Sequence, residues 1–172
     1  MSWLTPRKWF LLAFVAAAAL LAIGYFYFQI YMQLYPCPLC IFQRFAFIGI
    51  ALFGLLGAVH NPGRAGQIVY GLLLTLSAGF GIVVAGRHLW LQSLPAELVP
   101  ACGPGLDYIM ENFPFLRALD MIFTGSGSCA EVSWRFLGLT MPWWTLLWYA
   151  GFAVLTLWVV FSRRAAKQRM TE

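Results

Sequence analysis

Two cysteines with the spacing Cys-x-x-Cys, Cys37 and Cys40, stand at the start of a long apolar segment, and Arg44 follows one helical turn later. Thiols at this spacing are typical of thiol–disulfide exchange or of metal binding. The attacking species in exchange is a thiolate, which the positive end of a helix dipole stabilises. Pro38 suits the first position of a helix, so Cys37 should lie at the cap and Cys40 in the first turn. The pattern therefore predicts reactive sulfurs at a helix N-terminus.

A cation and a histidine can be placed near these sulfurs. Arg44 follows Cys40 by four residues and Cys37 by seven, so all three share one face of the predicted helix. The Arg44 guanidinium could stabilise a thiolate and bind the polar head group of a cofactor, or the side chain could simply extend to the membrane interface. His88 could hydrogen-bond or protonate a carbonyl of a lipid-soluble electron acceptor, or be an interfacial histidine without a chemical role.

The sequence contains no haem-attachment pattern, flavin fingerprint or phosphate-binding loop. A diffusible membrane quinone is therefore the simplest electron acceptor that fits such a site.

The composition indicates a membrane protein. Of the 172 residues 62% are hydrophobic and only 10% are charged, whereas a soluble domain has about 25% charged residues. The net charge of +5 does not indicate nucleic-acid binding, because most basic residues flank apolar runs, as the positive-inside rule describes. Seven of the eleven basic residues lie in three such flanking segments: Arg7, Lys8, Arg64, Arg163, Arg164, Lys167 and Arg169.

Four segments can cross a bilayer, which requires about 20 apolar residues in a helix. They are residues 9–28, 39–59, 68–86 and 143–161. The first could instead be a signal peptide, but its apolar run continues without a polar release, which favours an uncleaved span. The basic flanks place both termini in the cytoplasm. We therefore predict an all-α membrane protein, a four-transmembrane-helix bundle forming a single integral membrane domain over residues 1–172.

The outer loops, at about residues 29–38 and 87–142, contain all four cysteines, including Cys102 and Cys129. An even number of cysteines on the outer side of the membrane, in an oxidising compartment, indicates disulfides. A Cys₄ zinc site is disfavoured because 26 residues separate Cys102 from Cys129, so no metal is predicted. Apolar residues at helical spacing in residues 115–123 predict a short interfacial helix in the long loop. A non-catalytic four-span membrane protein with structural disulfides remains the alternative.

The segment Cys37-Pro38-Leu39-Cys40-x-x-x-Arg44 resembles the disulfide bond formation protein B (DsbB) family. The similarity extends to His88, to Gly-Ser-Cys-Ala-Glu at residues 127–131, and to Phe-Leu-Gly-Leu-Thr-Met-Pro-x-Trp at residues 136–144. It covers essentially the whole chain, and it is weakest around Cys102.

This resemblance implies a quinone-dependent thiol–disulfide oxidoreductase of the bacterial inner membrane, with the long loop and all cysteines in the periplasm. The enzyme would reoxidise a periplasmic DsbA-type thiol oxidase and pass the electrons to membrane quinone, with ubiquinone expected and menaquinone as the alternative. It would thereby support protein disulfide formation. The vitamin K epoxide reductase class, which performs comparable chemistry on another helix arrangement, is a further alternative.

The resemblance also implies roles for individual residues. The reduced partner would attack Cys102, whose disulfide mate would be Cys129. Cys129 would then exchange with Cys37 and leave Cys40 as the thiolate that gives electrons to quinone.

Three further residues, Arg44, His88 and Met141, match family positions near the quinone. Pro38 and Gln43 are not the only residues that such families use at their positions. We interpret them as tuning the redox potential without changing the reaction.

Overall fold

The computed structural model of the chain describes residues 5–98, 112–114, 117 and 127–168. Within these ranges four helices are long and apolar enough to cross a membrane: Pro6–Tyr31, Pro38–His60, Arg64–Gln92 and Met141–Val160. These helices overlap the four segments predicted from the sequence, and the predicted four-helix membrane fold is confirmed. Cys102 lies outside the described residues, and so does the predicted interfacial helix at residues 115–123 apart from Arg117.

The first span combines two kinds of helix. Helix α1 (Pro6–Ala22) begins with a proline at its first position, after Thr5, whose hydroxyl accepts a hydrogen bond from the Lys8 amide at 3.3 Å. From Ile23 to Tyr31 the chain continues as a π-helix, here called the π segment. π-Helices are rare and occur mostly as single-turn bulges within α-helices, which are frequently found at functional sites.

Helix α2 (Pro38–His60) starts as the sequence predicts. Cys37 is its N-cap residue, with extended backbone angles, and Pro38 occupies the first helical position. The helix ends at Asn61 in the left-handed conformation, with φ of 40°. Because only a short turn follows, helix α3 (Arg64–Gln92) runs back antiparallel to α2.

The end of the long loop has a structure that we did not predict. After a short helix α4 (Gly127–Ala130), strands β1 (Arg135–Phe136) and β2 (Leu139–Thr140) form an antiparallel hairpin that leads into helix α5 (Met141–Gln168). The two-residue turn has positive φ at Leu137 (52°) and Gly138 (81°), as in a type I′ turn. Leucine rarely adopts such a φ. Of the two turn residues, only Gly138 is therefore of a type that predicts this hairpin turn.

Helix α2 packs between α1 and α3, and α5 packs on α3. Several close approaches require glycine: a Cβ built at Gly81 would meet the Tyr149 ring at 2.6 Å, and one at Gly54 would meet the Phe10 carbonyl at 2.9 Å. Small residues therefore set the helix spacing, as is common in membranes. The spacing pattern of Gly79 and Gly86 suggests the same role, but among the described residues nothing lies within 4 Å of a Cβ at either position.

The first and last spans are joined at the end of the bundle that holds the chain termini. There Trp9 Nε1 donates a hydrogen bond to Thr156 Oγ1 at 3.0 Å, and the Trp9 ring packs against Phe152. Arg7 Nε donates to the Ala58 carbonyl near the end of α2, and Arg64 Nη2 donates to the Val160 carbonyl of α5. At the opposite end, where α2 begins, α1 and α5 border a cavity instead.

Candidate functional site

The two sulfurs of the Cys-x-x-Cys pair meet at the N-terminus of α2. The Cys37 thiol donates to Cys40 Sγ at 3.0 Å, and both side chains are partly buried. Cys37 belongs to the helix cap and Cys40 to the first turn, so both lie at the positive end of the helix dipole. This position favours the negatively charged form that a nucleophilic or electron-donating sulfur needs.

His88 reaches the sulfurs from the neighbouring helix. It lies near the end of α3 and is only 4% exposed. Its Nε2 is 3.9 Å from Cys37 Sγ, and its Nδ1 is 3.2 Å from the side-chain nitrogen of Gln43. One ring nitrogen thus faces the sulfur and the other faces an amide.

Gln43 connects α2 to both α3 and α5. It is 5% exposed, and its Oε1 accepts a hydrogen bond from Thr145 Oγ1 at 2.8 Å. Its main-chain carbonyl accepts a second bond from the Tyr149 hydroxyl at 2.7 Å. Polar groups buried this deeply are almost always hydrogen-bonded. The Tyr149 bond holds the Gln43 backbone, and the Thr145 bond holds the Gln43 side chain next to His88.

Arg44 is held by the π segment. Its Nη1 donates to Gln29 Oε1 at 2.6 Å, and its Nη2 donates to the Gly24 carbonyl at 3.1 Å. Both acceptors are neutral, so these bonds orient the guanidinium without neutralising its charge. The positive charge therefore stays available to an electron-rich group beside it.

A cavity of about 320 Å³ lies between the first span, α2 and α5. Most of its wall is apolar, with Leu20, Ile23, Phe28 and Phe47 among the lining side chains. The structure brings five of the seven predicted site residues to this one cavity: Cys37, Cys40, Arg44, His88 and Met141. An apolar pocket with a few convergent polar groups is the usual form of a site for a small organic molecule.

Of the other two predicted residues, the structure describes only Cys129. Its side chain is fully buried in a small cluster with Leu39, Val84 and Leu91, and Cys37 packs against this cluster. Helix α4 thus brings Cys129, one member of the second predicted cysteine pair, to the N-terminus of α2. Cys102 and its predicted disulfide with Cys129 lie outside the described residues.

The potential metal ligands of Cys37, Cys40 and His88 all lie within 4.8 Å of one another. Two thiolates and an imidazole are a zinc donor set, provided that the ring nitrogen offers a lone pair. With the Gln43 amide donating to Nδ1, however, the proton of a neutral ring is on Nε2, the nitrogen that faces the sulfur. That hydrogen-bond arrangement suits a proton donor to sulfur better than a metal ligand.

Comparison with known proteins shows the family to which the chain belongs. The sequence profile of the family "Disulfide bond formation protein DsbB" matches residues 6–159. The disulfide bond formation protein B of Marinobacter nauticus is 51% identical over 160 residues, which cover 93% of this chain and 95% of that protein. The chain belongs to the DsbB family. The namesake proteins of Chromobacterium violaceum and Hahella chejuensis are 50% and 49% identical and cover 94% and 90% of the chain.

DsbB family membership and the four spans together describe a membrane protein of disulfide bond formation. The formation of a disulfide from two thiols removes two electrons, so the chemistry is that of an oxidoreductase. The resemblance noted from the sequence is thereby confirmed, and so is the membrane class.

Several residues that support this candidate site were not predicted from the sequence. Gln43 was interpreted only as a tuning position, and no role was predicted for Gln29, Thr145 or Tyr149. A glutamine in a membrane span costs free energy unless it is satisfied, so Gln43 could have been flagged by polarity alone. Its partners could not, because they are distant in sequence.

Proposed function

We propose that this protein reoxidises a periplasmic DsbA-type thiol oxidase and passes the electrons to membrane quinone. In the overall reaction the two thiols of the partner become a disulfide, and the two electrons and two protons convert quinone to quinol. The observation that carries the proposal is the convergence of Cys40, Arg44 and His88 on one apolar cavity beside the N-terminus of α2.

The cavity fits a quinone ring in chemistry and position. Its apolar wall would hold the quinone ring. Arg44 and His88 also line the cavity, and their side chains carry N–H groups that can donate hydrogen bonds to a quinone oxygen. Ile23 and Trp148, which also line the cavity, are 50% and 45% exposed on the outer surface of the bundle. A lipid-soluble acceptor could therefore enter from the bilayer between the first and last spans. Bound there, a quinone supplies an acceptor for two electrons and two protons.

The thiol relay follows the order that the family resemblance implies. One thiolate of the partner attacks Cys102 of the Cys102–Cys129 disulfide, and the partner's second thiol then displaces Cys102, so the partner leaves as a disulfide and Cys102 and Cys129 remain as thiols. Cys129 attacks Cys37 of the Cys37–Cys40 disulfide and releases Cys40 as a thiolate, and Cys102 then displaces Cys37 from Cys129 and restores the Cys102–Cys129 disulfide. The exchange between Cys129 and Cys37 is supported by the packing of Cys37 against the cluster that contains Cys129. Cys40 lines the cavity, so it is placed to hand electrons onward, and Cys37 and Cys40 end as a disulfide.

We further propose that the protein lies in the bacterial inner membrane with both termini in the cytoplasm. The support is the distribution of charge: basic residues lie at both termini and in the turn between α2 and α3. This orientation places all four cysteines in the oxidising periplasm, where the partner is found.

The decisive experiment mixes the protein in lipid with reduced DsbA-type oxidase and a soluble ubiquinone analogue and follows quinone absorbance. We expect quinone loss matched one to one by partner disulfide, and no turnover in Cys40→Ser. Thr75→Ser, a polar substitution in α3 away from the cavity, is the control and should retain the wild-type rate. Quinone loss that survives Cys40→Ser, or no loss in the wild type, would return the protein to the structural-disulfide alternative.

A further inference from the structure

The hydroxyl of Thr145 has two hydrogen-bond acceptors for a single proton. Its Oγ1 lies 2.8 Å from Gln43 Oε1 and 2.9 Å from the Pro142 carbonyl oxygen. A hydroxyl donates one hydrogen bond and can accept two, so the proton can go to only one of these oxygens at a time. The same heavy-atom positions therefore permit two different hydrogen-bond arrangements.

In the first arrangement Thr145 donates to Gln43 Oε1, and the Gln43 amide nitrogen donates to His88 Nδ1. A neutral imidazole that accepts at Nδ1 carries its proton on Nε2. His88 then points an N–H group at Cys37 Sγ, 3.9 Å away. It gives the sulfur a hydrogen bond and cannot take up a proton from it.

In the second arrangement Thr145 donates to the Pro142 carbonyl, and the Gln43 amide is turned over so that its oxygen and nitrogen exchange places. The amide nitrogen then donates to Thr145 Oγ1, and Oε1 accepts from His88 Nδ1–H. The ring keeps its lone pair on Nε2, which faces the sulfur. No helix has to move, and each of these buried groups keeps a partner, so neither arrangement carries a desolvation penalty.

The second arrangement lets His88 relay a proton. The Cys37 S–H bond rotates from Cys40 Sγ towards Nε2, which lies 3.9 Å from Cys37 Sγ. Nε2 then takes the proton, which leaves a thiolate and an imidazolium whose Nδ1–H still donates to Gln43 Oε1. The imidazolium then releases the Nε2 proton to the electron acceptor or to water and is neutral again. The electron pair stays on sulfur for the exchange and oxidation steps.

We propose that Gln43, supported by Thr145, sets which nitrogen of His88 carries the proton, and so decides whether His88 binds the sulfur as a donor or deprotonates it. Both are positioning residues, since they act through His88. The Tyr149 bond to the Gln43 carbonyl and the burial of Gln43 keep water from replacing either partner. The role in turnover rests on the proposed function, whereas the control of the ring proton does not.

The test reads the ring proton directly by ¹⁵N NMR of histidine-labelled, full-length protein in lipid bilayers, with the dithiol reduced and no quinone added. The chain has two histidines, so His60→Asn leaves His88 as the only signal. Gln43→Glu should move the proton to Nδ1, because a carboxylate only accepts. Gln43→Met removes the amide at Nδ1, so the ring should take the tautomer ratio of an imidazole without that partner, a change of up to about tenfold, the effect of one ordinary hydrogen bond.

Thr145 offers a matched set of variants. Thr145→Val should change the tautomer ratio, and Thr145→Ser, which keeps the hydroxyl, should restore it. Thr75→Val, the same change on α3 where the hydroxyl bonds the Gly71 carbonyl, should leave the ratio as in the wild type. The proposal is overturned if Gln43→Glu and Gln43→Met both keep the wild-type ratio, or if Thr75→Val changes it as much as Thr145→Val does.

Turnover is measured separately on the same samples. Thr145→Val should lower kcat with little change in the KM for quinone, and Thr145→Ser should recover it. If the ring proton responds as expected but the wild type consumes no quinone, the proposed function fails and the inference about Gln43 stands. If quinone is consumed but the ring proton does not respond, the proposed function stands and the inference about Gln43 fails.

Discussion

The guanidinium of Arg44 is oriented by Gln29, whose Oε1 lies 2.6 Å from Nη1. The two residues belong to different spans, and the bond fixes the side of α2 on which the positive charge is presented. Arg44 also lines the cavity with Cys40 and His88. An arginine that only extended to the membrane interface would need no such partner inside the bundle, so the geometry favours a functional role.

We expect Arg44→Ala to raise the apparent KM for quinone by about 10- to 100-fold, since hydrogen bonds to a charged group contribute roughly 1.5–3 kcal/mol. The KM for the reduced partner should change little, because Arg44 lies one helical turn further along α2 than Cys40, away from the helix N-terminus. Steady-state kinetics with each substrate varied in turn measures both values. Arg87→Ala removes an arginine of α3 that stacks on Trp90 outside the cavity, and it should leave the quinone KM unchanged. An unaltered quinone KM in Arg44→Ala would assign Arg44 to the interface instead.

Gln29→Leu should have a smaller effect in the same direction. It removes one of the two bonds that orient Arg44 and keeps the charge, so we expect the quinone KM to rise by about three- to tenfold. Gln67→Leu is the matched control, because Gln67 bonds the Pro62 carbonyl in the turn between α2 and α3. Equal effects of the two substitutions would show that the Gln29 change acts only through stability.

Cys102→Ser and Cys129→Ser should each stop oxidation of the protein partner while the quinone site stays intact. The reason is that the proposed relay needs the second cysteine pair only to receive electrons from the partner. With a small dithiol as electron donor, which can reduce Cys37–Cys40 directly, both variants should still consume quinone at nearly the wild-type rate. Full turnover with the partner protein in either variant would contradict the relay.

Gly81→Ala should lower the thermal stability of the bundle. The added methyl group would lie 2.6 Å from the Tyr149 ring, and overpacking of this kind costs about 1–3 kcal/mol. Gly79→Ala is the matched comparison, because it makes the same chemical change two residues away, on another face of α3, where no described atom lies within 4 Å. Thermal unfolding in one detergent should give a lower Tm for Gly81→Ala only. A similar loss for both would attribute the effect to helix backbone rather than to packing.

Much of the fold could be predicted because the bilayer restricts the choices. Apolar length, the basic flanks and the Pro38 helix start indicated the four spans and the position of Cys37 at a cap. The hairpin before α5 was missed because its turn uses Leu137 with positive φ, where asparagine or glycine would have been the signal. The π segment was missed because hydrophobic spacing over so few residues does not separate it from an α-helix.

The sequence indicated the candidate site residues on α2 but not the residues that hold them in place. The candidate residues carry a signal in their own types, since Cys37, Cys40 and Arg44 are spaced on one helix. Gln29 and Thr145 are ordinary polar residues whose roles arise from contacts with residues far along the chain. Glycine spacing suggests close helix contact at Gly79 and Gly81 alike, but of these two only Gly81 has a described atom within 4 Å of an added Cβ, because spacing does not say which face of a helix meets its neighbour.

The winding of the first span makes the register of its residues part of the Arg44 site. The two acceptors of Arg44, Gly24 and Gln29, are five residues apart, which is the hydrogen-bond interval of a π-helix. In an α-helix, residues five apart would point about 140° away from each other. Deleting one residue between them would therefore restore ordinary winding and keep both acceptors on one face, whereas straightening the π segment without a deletion would separate them. The number of residues between these two acceptors in each related chain would show whether that chain can hold its arginine in this way.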